Sequence, residues 1–377
     1  MTIKEIKAKS ILRKHKKIDS WFLSGYGMNL YRGCAHNCVY CDGRAEKYYV
    51  EGEFGLDVAV KVNAIDILKR ELDPKRKRKP PRSSYIMLGG GVGDCYQPAD
   101  NKYSLSRQTL ELLDFYNLPV HVLTKSTLIE RDMDILKSIN NKKRAVISFS
   151  FSSMDEKISA LFEPGVPAPD KRLDTLLKFK KQGFACGMFL MPVIPFITDG
   201  PELIEQSVKS AAKTGLDFII FGGMTLKPGR QKDYFMNVLR AFYPQLAPQY
   251  DLIYTDSQWG EATREYYQSI NQTFFTLARA YGMPVRMPLR LYSDILDEND
   301  RVVVLLEHID YLLKMKGERS YFGYAAYSVS QVKEPLSSVR EKLGTLKGVG
   351  PDIKRVILDI LDTGRSSYYD KLSGNRV

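Results

Sequence analysis

Between residues 25 and 230 the chain alternates a short apolar segment with an amphipathic one six times, and that period constrains its fold more than any other feature. The apolar segments at 26–31, 84–88, 120–124, 144–151, 185–191 and 218–221 read as strands. Helical patterns lie between them at 56–72, 105–116, 130–139, 155–162 with 170–182, and 201–213. Thr198, Asp199, Gly200 and Pro201 offer a cap and a first-turn proline for the last of these. Glycines at 89–91, 183, 215 and 222–223 mark the boundaries. Strands separated by helices pair in parallel, because a parallel return needs a crossover, and the crossover helices cover the sheet. The α/β series fits an open doubly wound sheet or an incomplete barrel. In both, functional groups collect at the carboxyl ends of the strands.

The regions outside this series differ in character. Residues 1–24 form a basic N-terminal segment, with seven Lys or Arg against one Glu in the first 17. Residues 69–82 add eight basic residues against Glu71 and Asp73, and the 377-residue chain carries a formal charge of +12. Such stretches favour an anionic partner, although solvated surface explains them equally well. Residues 231–331 read as a helical, aromatic-rich extension whose rings serve packing. In the tail, 332–377, two short helical stretches flank Lys347-Gly348-Val349-Gly350, with Pro351 suited to a first helical turn. This resembles a helix–hairpin–helix element of the sort that holds DNA backbones, and makes Lys347, Gly348 and Gly350 candidate phosphate contacts. No run of 18 apolar residues and no secretory leader is evident, which points to a cytoplasmic protein without a membrane span.

Three of the five cysteines, Cys34, Cys38 and Cys41, lie within eight residues, just after the first strand candidate. A chain this poor in thiols is not a disulfide scaffold, so the triad reads as a metal site. Zinc and iron–sulfur clusters both accept thiolates. Structural zinc asks for four protein ligands, and the four histidines show no motif that completes such a set. A three-thiolate cluster instead leaves one iron open to a small molecule.

The run Cys34-Ala35-His36-Asn37-Cys38-Val39-Tyr40-Cys41 resembles the signature of the radical S-adenosylmethionine (SAM) enzymes. That resemblance selects the partial (β/α)6 barrel of the TIM type for residues 25–230, with a helical C-terminal extension. It implies a [4Fe–4S] cluster, S-adenosyl-L-methionine, and an external reductant such as flavodoxin or ferredoxin. It also implies reductive cleavage of the cofactor to a 5′-deoxyadenosyl radical. His36, Arg44, the Gly91-x-x-Asp94-x-Tyr96-Gln97-Pro98 run and Phe162-Glu163-Pro164-Gly165 with Arg172 look like the subgroup related to spore photoproduct lyase. By that likeness Gly89, Gly90 and Gly91 serve the methionyl end of the cofactor, Lys125 and Ser150 its carboxylate or ribose, and Tyr40 packs beside it.

The chain also departs from the lyase. Asp42 stands where the lyase has a tyrosine, and Gly91 where it has a hydrogen-donating cysteine. Cys95, Tyr96 and Asp94 become the catalytic candidates, with Cys95 the nearest thiol. Lys227 and Arg230, after the sixth strand, are candidates for a substrate phosphate. The leading expectation is a radical SAM enzyme acting on a nucleic acid, DNA before RNA. The alternatives are a radical SAM enzyme on a small metabolite, peptide or protein, and a nucleic-acid-binding protein with a structural cluster. Nothing in the sequence sets an oligomeric state.

Overall fold

The computed structural model of the chain describes residues 2–48, 52–75, 83–255 and 257–374. Its strands in chain order are β1 (Thr2–Ile6), β2 (Leu12–Asp19), β3 (Ser24–Met28), β4 (Tyr31–Arg32), β5 (Asp57–Lys61), β6 (Tyr85–Gly89), β7 (Val120–Thr124), β8 (Ala145–Phe151), β9 (Ala185–Val193) and β10 (Phe218–Gly223). The large sheet has the order β10-β9-β8-β7-β6-β3-β2. Every pair in it is parallel except β2–β3, and it curls into a half-barrel, the partial (β/α)6 architecture expected. The six parallel strands are the six read from the sequence. The helices Ala64–Leu72, Leu105–Phe115, Met133–Lys142, Glu156–Phe162 with Pro169–Lys181, and Pro201–Lys213 connect them.

Local chemistry accounts for these elements. β7 is buried at every position, as a central parallel strand covered on both faces must be. The helix Ala64–Leu72 buries Ala64, Ile67, Leu68 and Leu72, a single stripe at helical spacing. The Asp155 carboxylate accepts from the Ile158 amide at 2.9 Å and starts the helix Glu156–Phe162. Pro201, preceded by Gly200, opens Pro201–Lys213.

One expectation is corrected. The helix expected over 56–72 begins at Ala64, because Val58 and Val60 point the same way from β5 and are buried. β5 pairs in parallel with β1 and antiparallel with β4 in a separate three-stranded sheet. Of the basic residues of 1–24, Lys4 lies on β1 and Arg13, Lys14, Lys16 and Lys17 on β2, which forms the edge of the large sheet, where the exposed Arg13, Lys14 and Lys16 discourage pairing with another chain. Of the second basic stretch, residues 76–82 lie outside the described residues.

Strand alternation divides the core in two. Ile86, Leu88, Val122, Ile147 and Met188 face the connecting helices. Tyr85, Met87, Val146, Phe189 and Ile220 face inward and meet the C-terminal helices. The helix Glu298–Met315 buries Val302 to Leu306 without a break, so it is enclosed rather than amphipathic. The tail joins the same inner core through Leu336, Leu343, Val349, Ile353 and Ile357. Its first expected helix is two 3-10 turns, Leu336–Ser338 and Arg340–Thr345; the second is the regular helix Pro351–Thr363. Among the described residues, no helix is long and apolar enough to cross a membrane.

The enclosed helix gives a stability prediction. Leu306→Ala leaves a cavity inside the half-barrel and should lower unfolding stability by about 2–5 kcal/mol in chemical denaturation, whereas Leu252→Ala, at a position 74% exposed, should change it little.

Candidate active site

The cysteine loop lies between β4 and the 3-10 turn Asp42–Arg44, and three segments brace it. Arg44 donates from Nε to the Cys38 carbonyl at 3.1 Å and from its terminal nitrogens to the Asn37 side chain at 2.5 Å and the Phe54 carbonyl at 3.3 Å. Its guanidinium lies 3.6 Å from the Tyr234 ring centroid and 5.1 Å from that of Phe54. Burial pulls its pKa down, which the Tyr234 ring and the neighbouring cysteines partly oppose. The turn at Phe162-Glu163-Pro164-Gly165 adds a second brace. The Val39 amide donates to the Phe162 carbonyl at 2.8 Å and the Gly165 amide to the His36 carbonyl at 3.0 Å. A Cβ on Gly165 would stand 2.5 Å from the Ala35 carbonyl oxygen, so this approach needs glycine. Gln97 is the third brace, accepting from the Ala35 amide and donating to the Gly33 carbonyl.

Asp94 ties the loop to the strand ends. Its carboxylate faces His36 Nε2 at 3.2 Å and accepts from the Thr124 hydroxyl and the amides of Tyr96 and Lys125, each at 2.8 Å. Burial would raise its pKa, but the His36 contact and those amides hold it below the ordinary value. His36 Nδ1 faces the Gly165 carbonyl at 2.9 Å, so both ring nitrogens are engaged away from the thiols.

A buried charge network lies beneath Tyr40. Glu163 pairs with Arg172 at 2.7 Å and with Lys125 at 3.1 Å, and the Tyr40 hydroxyl donates to it. Arg172 reaches the Ser150 carbonyl at 2.6 Å, and Lys125 reaches the Ser150 hydroxyl at 2.8 Å. Burial alone would push the Glu163 carboxyl up; Arg172 and Lys125 outweigh it and hold the group at about 2.

The structure therefore brings Cys34, Cys38, Cys41, Tyr40, Asp94, Lys125 and Ser150 together. Gly89, Gly90 and Gly91 follow β6 with φ of +86°, +85° and +70°. A Cβ on Gly89 would stand 2.2 Å from the Leu123 carbonyl oxygen. Cys95 and Tyr96, expected as catalytic, are both buried, and Cys95 lines a small cavity with Gly89, Gly93 and Asp94. Both belong to the core cluster between sheet and helices, and the Tyr96 amide donates to Asp94. Burial, with Asp94 and Asp100, pushes the Cys95 thiol well up; Tyr96 is buried beside Asp132, with the Arg131 guanidinium 6.0 Å from its ring. Lys227, expected to meet a phosphate, pairs with Asp42, and the Arg230 amide donates to Glu46. Lys347, Gly348 and Gly350 lie in the tail at the start of Pro351–Thr363. Sequence reading missed the aromatic partners of Arg44 and a 370 Å³ cavity beside the loop, lined by Gly33, Gly43, Lys47, Phe54, Lys61 and Val92. Nothing local in the sequence signals either.

The donor set can be tested against the group it suggests. Among the described residues, no three His, Cys, Asp or Glu side chains converge as a single metal ion requires. The three loop thiols still share one environment. Burial pushes Cys34 well up, with Asp94, Cys38 and Cys41 adding to it; burial pushes Cys38 to about 12. Cys186, on β9, directs its sulfur to the Leu176 carbonyl, and Cys95 faces the helices. Three soft donors without a fourth suit a polynuclear iron–sulfur centre with one iron left open.

Residues 28–206 match the family model of the Radical SAM superfamily. The matched stretch takes in the cysteine loop and strands β6 to β9. An uncharacterized protein of Mycobacterium tuberculosis is 29% identical over 258 residues, 67% of this chain and 74% of its own. One of Methanocaldococcus jannaschii is 29% identical over 58% of this chain and 77% of its own. Among solved structures, spore photoproduct lyase complexed with dinucleoside spore photoproduct superposes with a TM-score of 0.52 at 16% identity, covering 74% of this chain and 79% of that one. A mutant lyase with bound AdoMet and the same dinucleoside gives 0.50 at 18% identity, covering 72% and 78%. Both show the shared fold.

The Arg44 brace can be tested without iron. In cluster-free protein, Arg44→Lys removes charge-assisted bonds worth roughly 1.5–3 kcal/mol. Alkylation of the loop thiols should then speed up by about tenfold or more, while Cys186 should label at its wild-type rate in peptide mass mapping.

Proposed function

We propose that the chain is a radical SAM enzyme that uses Cys34, Cys38 and Cys41 to hold a [4Fe–4S] cluster and acts on a nucleic acid, DNA before RNA. The observation that carries the reading is the braced three-thiol loop, with no fourth donor among the described residues, set beside the carboxyl ends of the parallel strands. The chemistry such a centre supplies is reductive cleavage of S-adenosylmethionine to a 5′-deoxyadenosyl radical, which takes hydrogen from a substrate; an external flavodoxin or ferredoxin supplies the electron.

The chain's own groups have separable tasks in this reading. Lys125 and Ser150, already joined at 2.8 Å, present a cation and a hydroxyl to the cofactor's carboxylate or ribose. Gly89 to Gly91 expose backbone to its methionyl end. Asp94 is a positioning residue, because its partners are His36 on the loop and the chain after β7. Tyr40 is held by Glu163 and forms a wall rather than a hydrogen source. Cys95, whose sulfur would stand 3.4 Å from a Cβ on Gly89, is the candidate thiol for hydrogen return. The lyase structures bound to a dinucleoside lesion, the charge of +12 and the tail with Lys347, Gly348 and Gly350 support a nucleic-acid substrate.

Anaerobic reconstitution with reductant and S-adenosylmethionine should give 5′-deoxyadenosine, and Cys34→Ala should abolish it. Lys125→Met should raise the KM for S-adenosylmethionine by about tenfold, the worth of one charge-assisted contact. Binding to DNA should weaken steeply with salt. Cofactor cleavage stimulated by a metabolite extract but not by nucleic acid would point instead to a small-molecule substrate.

A further inference from the structure

The helix Phe322–Ser330 packs on Glu298–Met315 and buries Ala325, Ala326 and Val329. Helical geometry then forces Tyr321 at its N-cap, Tyr324 and Tyr327 onto the opposite face, one turn apart. They are 70%, 53% and 55% exposed, and among the described residues they are the exposed large hydrophobic side chains between 314 and 350. Three tyrosines left open in a row are an unusual use of apolar surface on a helix whose other face is fully packed.

The neighbourhood of this stripe is basic. Residues 314–350 hold seven Lys or Arg and three Glu. Lys314 and Arg340 are paired with Asp310 and Asp362, while Lys316, Arg319, Lys333 and Lys347 are exposed. The Lys347–Gly350 hairpin abuts the stripe directly: a Cβ on Gly348, whose φ is +79°, would stand 2.4 Å from the Tyr324 ring. At the other end, Tyr321 borders a cleft of 920 Å³. Arg319 and Ser320 form one wall and Arg264, Tyr267 and Asn271 the other, with Glu261 and Glu318 also present. The Tyr267 hydroxyl donates to the Met224 carbonyl at 2.8 Å, and its ring covers Gly223 at the carboxyl end of β10. A continuous surface thus runs from the hairpin, over the tyrosines and along the cleft, to the end of the half-barrel where the cysteine loop lies.

We infer that this surface binds a single-stranded or locally unpaired stretch of nucleic acid, with bases stacked on Tyr321, Tyr324 and Tyr327 and phosphates met by the flanking Lys and Arg. The inference rests on the nucleic-acid reading above and narrows it to the form of strand engaged. Bases in a duplex are stacked on one another and offer no face to a tyrosine, whereas an unpaired strand offers a face at each base and a phosphate between. An acidic protein would answer the charge, but would leave a ladder of rings at helical spacing without planar partners.

The test uses the full-length reconstituted protein, with fluorescence anisotropy of a labelled oligothymidine of about twenty nucleotides and of the same strand in a duplex. The single strand should bind more tightly. The double variant Tyr324→Ala/Tyr327→Ala should weaken that binding by about 10- to 100-fold, and Tyr→Phe at both positions should restore it, because the ring and not the hydroxyl stacks. Phe115→Ala, at a 75% exposed position on the helix before β7, is the surface control and should bind as wild type does. Melting temperatures near that of wild type for all variants separate loss of stacking from loss of fold. Equal affinity of the alanine variant and wild type, or a duplex bound as tightly as the single strand, would overturn the inference while leaving a nucleic-acid substrate standing. Binding of neither form by the wild type would overturn both.

Discussion

Glu163 is a fully buried carboxylate, and the position of the cysteine loop depends on how its charge is met. Arg172 and Lys125 face it from two elements, the helix Pro169–Lys181 and the chain after β7, and Tyr40 reaches it from the loop. Breaking one side of such a pair leaves an uncompensated charge and costs about 3–5 kcal/mol. The loop therefore cannot lift from the sheet without disturbing groups that also fix Ser150 at the end of β8. Asp94 acts in parallel from the turn after β6 to His36, and Arg44 clamps the loop from its own far end. Three buried polar anchors hold a segment that forms little regular structure of its own.

The half-barrel supplies the ground for those anchors. Its inner face toward the amino ends of the strands is filled by the helix Glu298–Met315 and by the tail, so the interior is core rather than channel. Open space is left near the carboxyl ends: the cavity beside the loop and the cleft that meets Tyr267. The C-terminal third of the chain thus has two faces with different work. One completes the core of the barrel, and the other carries an exposed aromatic and basic surface.

Much of this was legible in the residues. The six parallel strands follow from apolar runs with helical stretches between them, and the loop follows from thiol spacing. β4 was not legible because two residues carry no pattern, and β5 because its alternation merges with the helix after it. The burial of Cys95 and Tyr96 depends on the packing of distant segments, which residue spacing does not encode. Lys227 looked free for an anion because its partner, Asp42, lies 185 residues away. The clamp of Arg44 between Phe54 and Tyr234 likewise assembles only when distant segments meet.

The central claim is that three loop thiols hold a cluster whose remaining iron is open. Mössbauer spectroscopy of protein reconstituted with iron-57, with and without S-adenosylmethionine, addresses it directly. The account predicts about four irons per chain in a cubane-type centre, one of which changes its isomer shift when the cofactor is added. A spectrum indifferent to the cofactor, or a chain that retains zinc and no iron–sulfur centre, would contradict it.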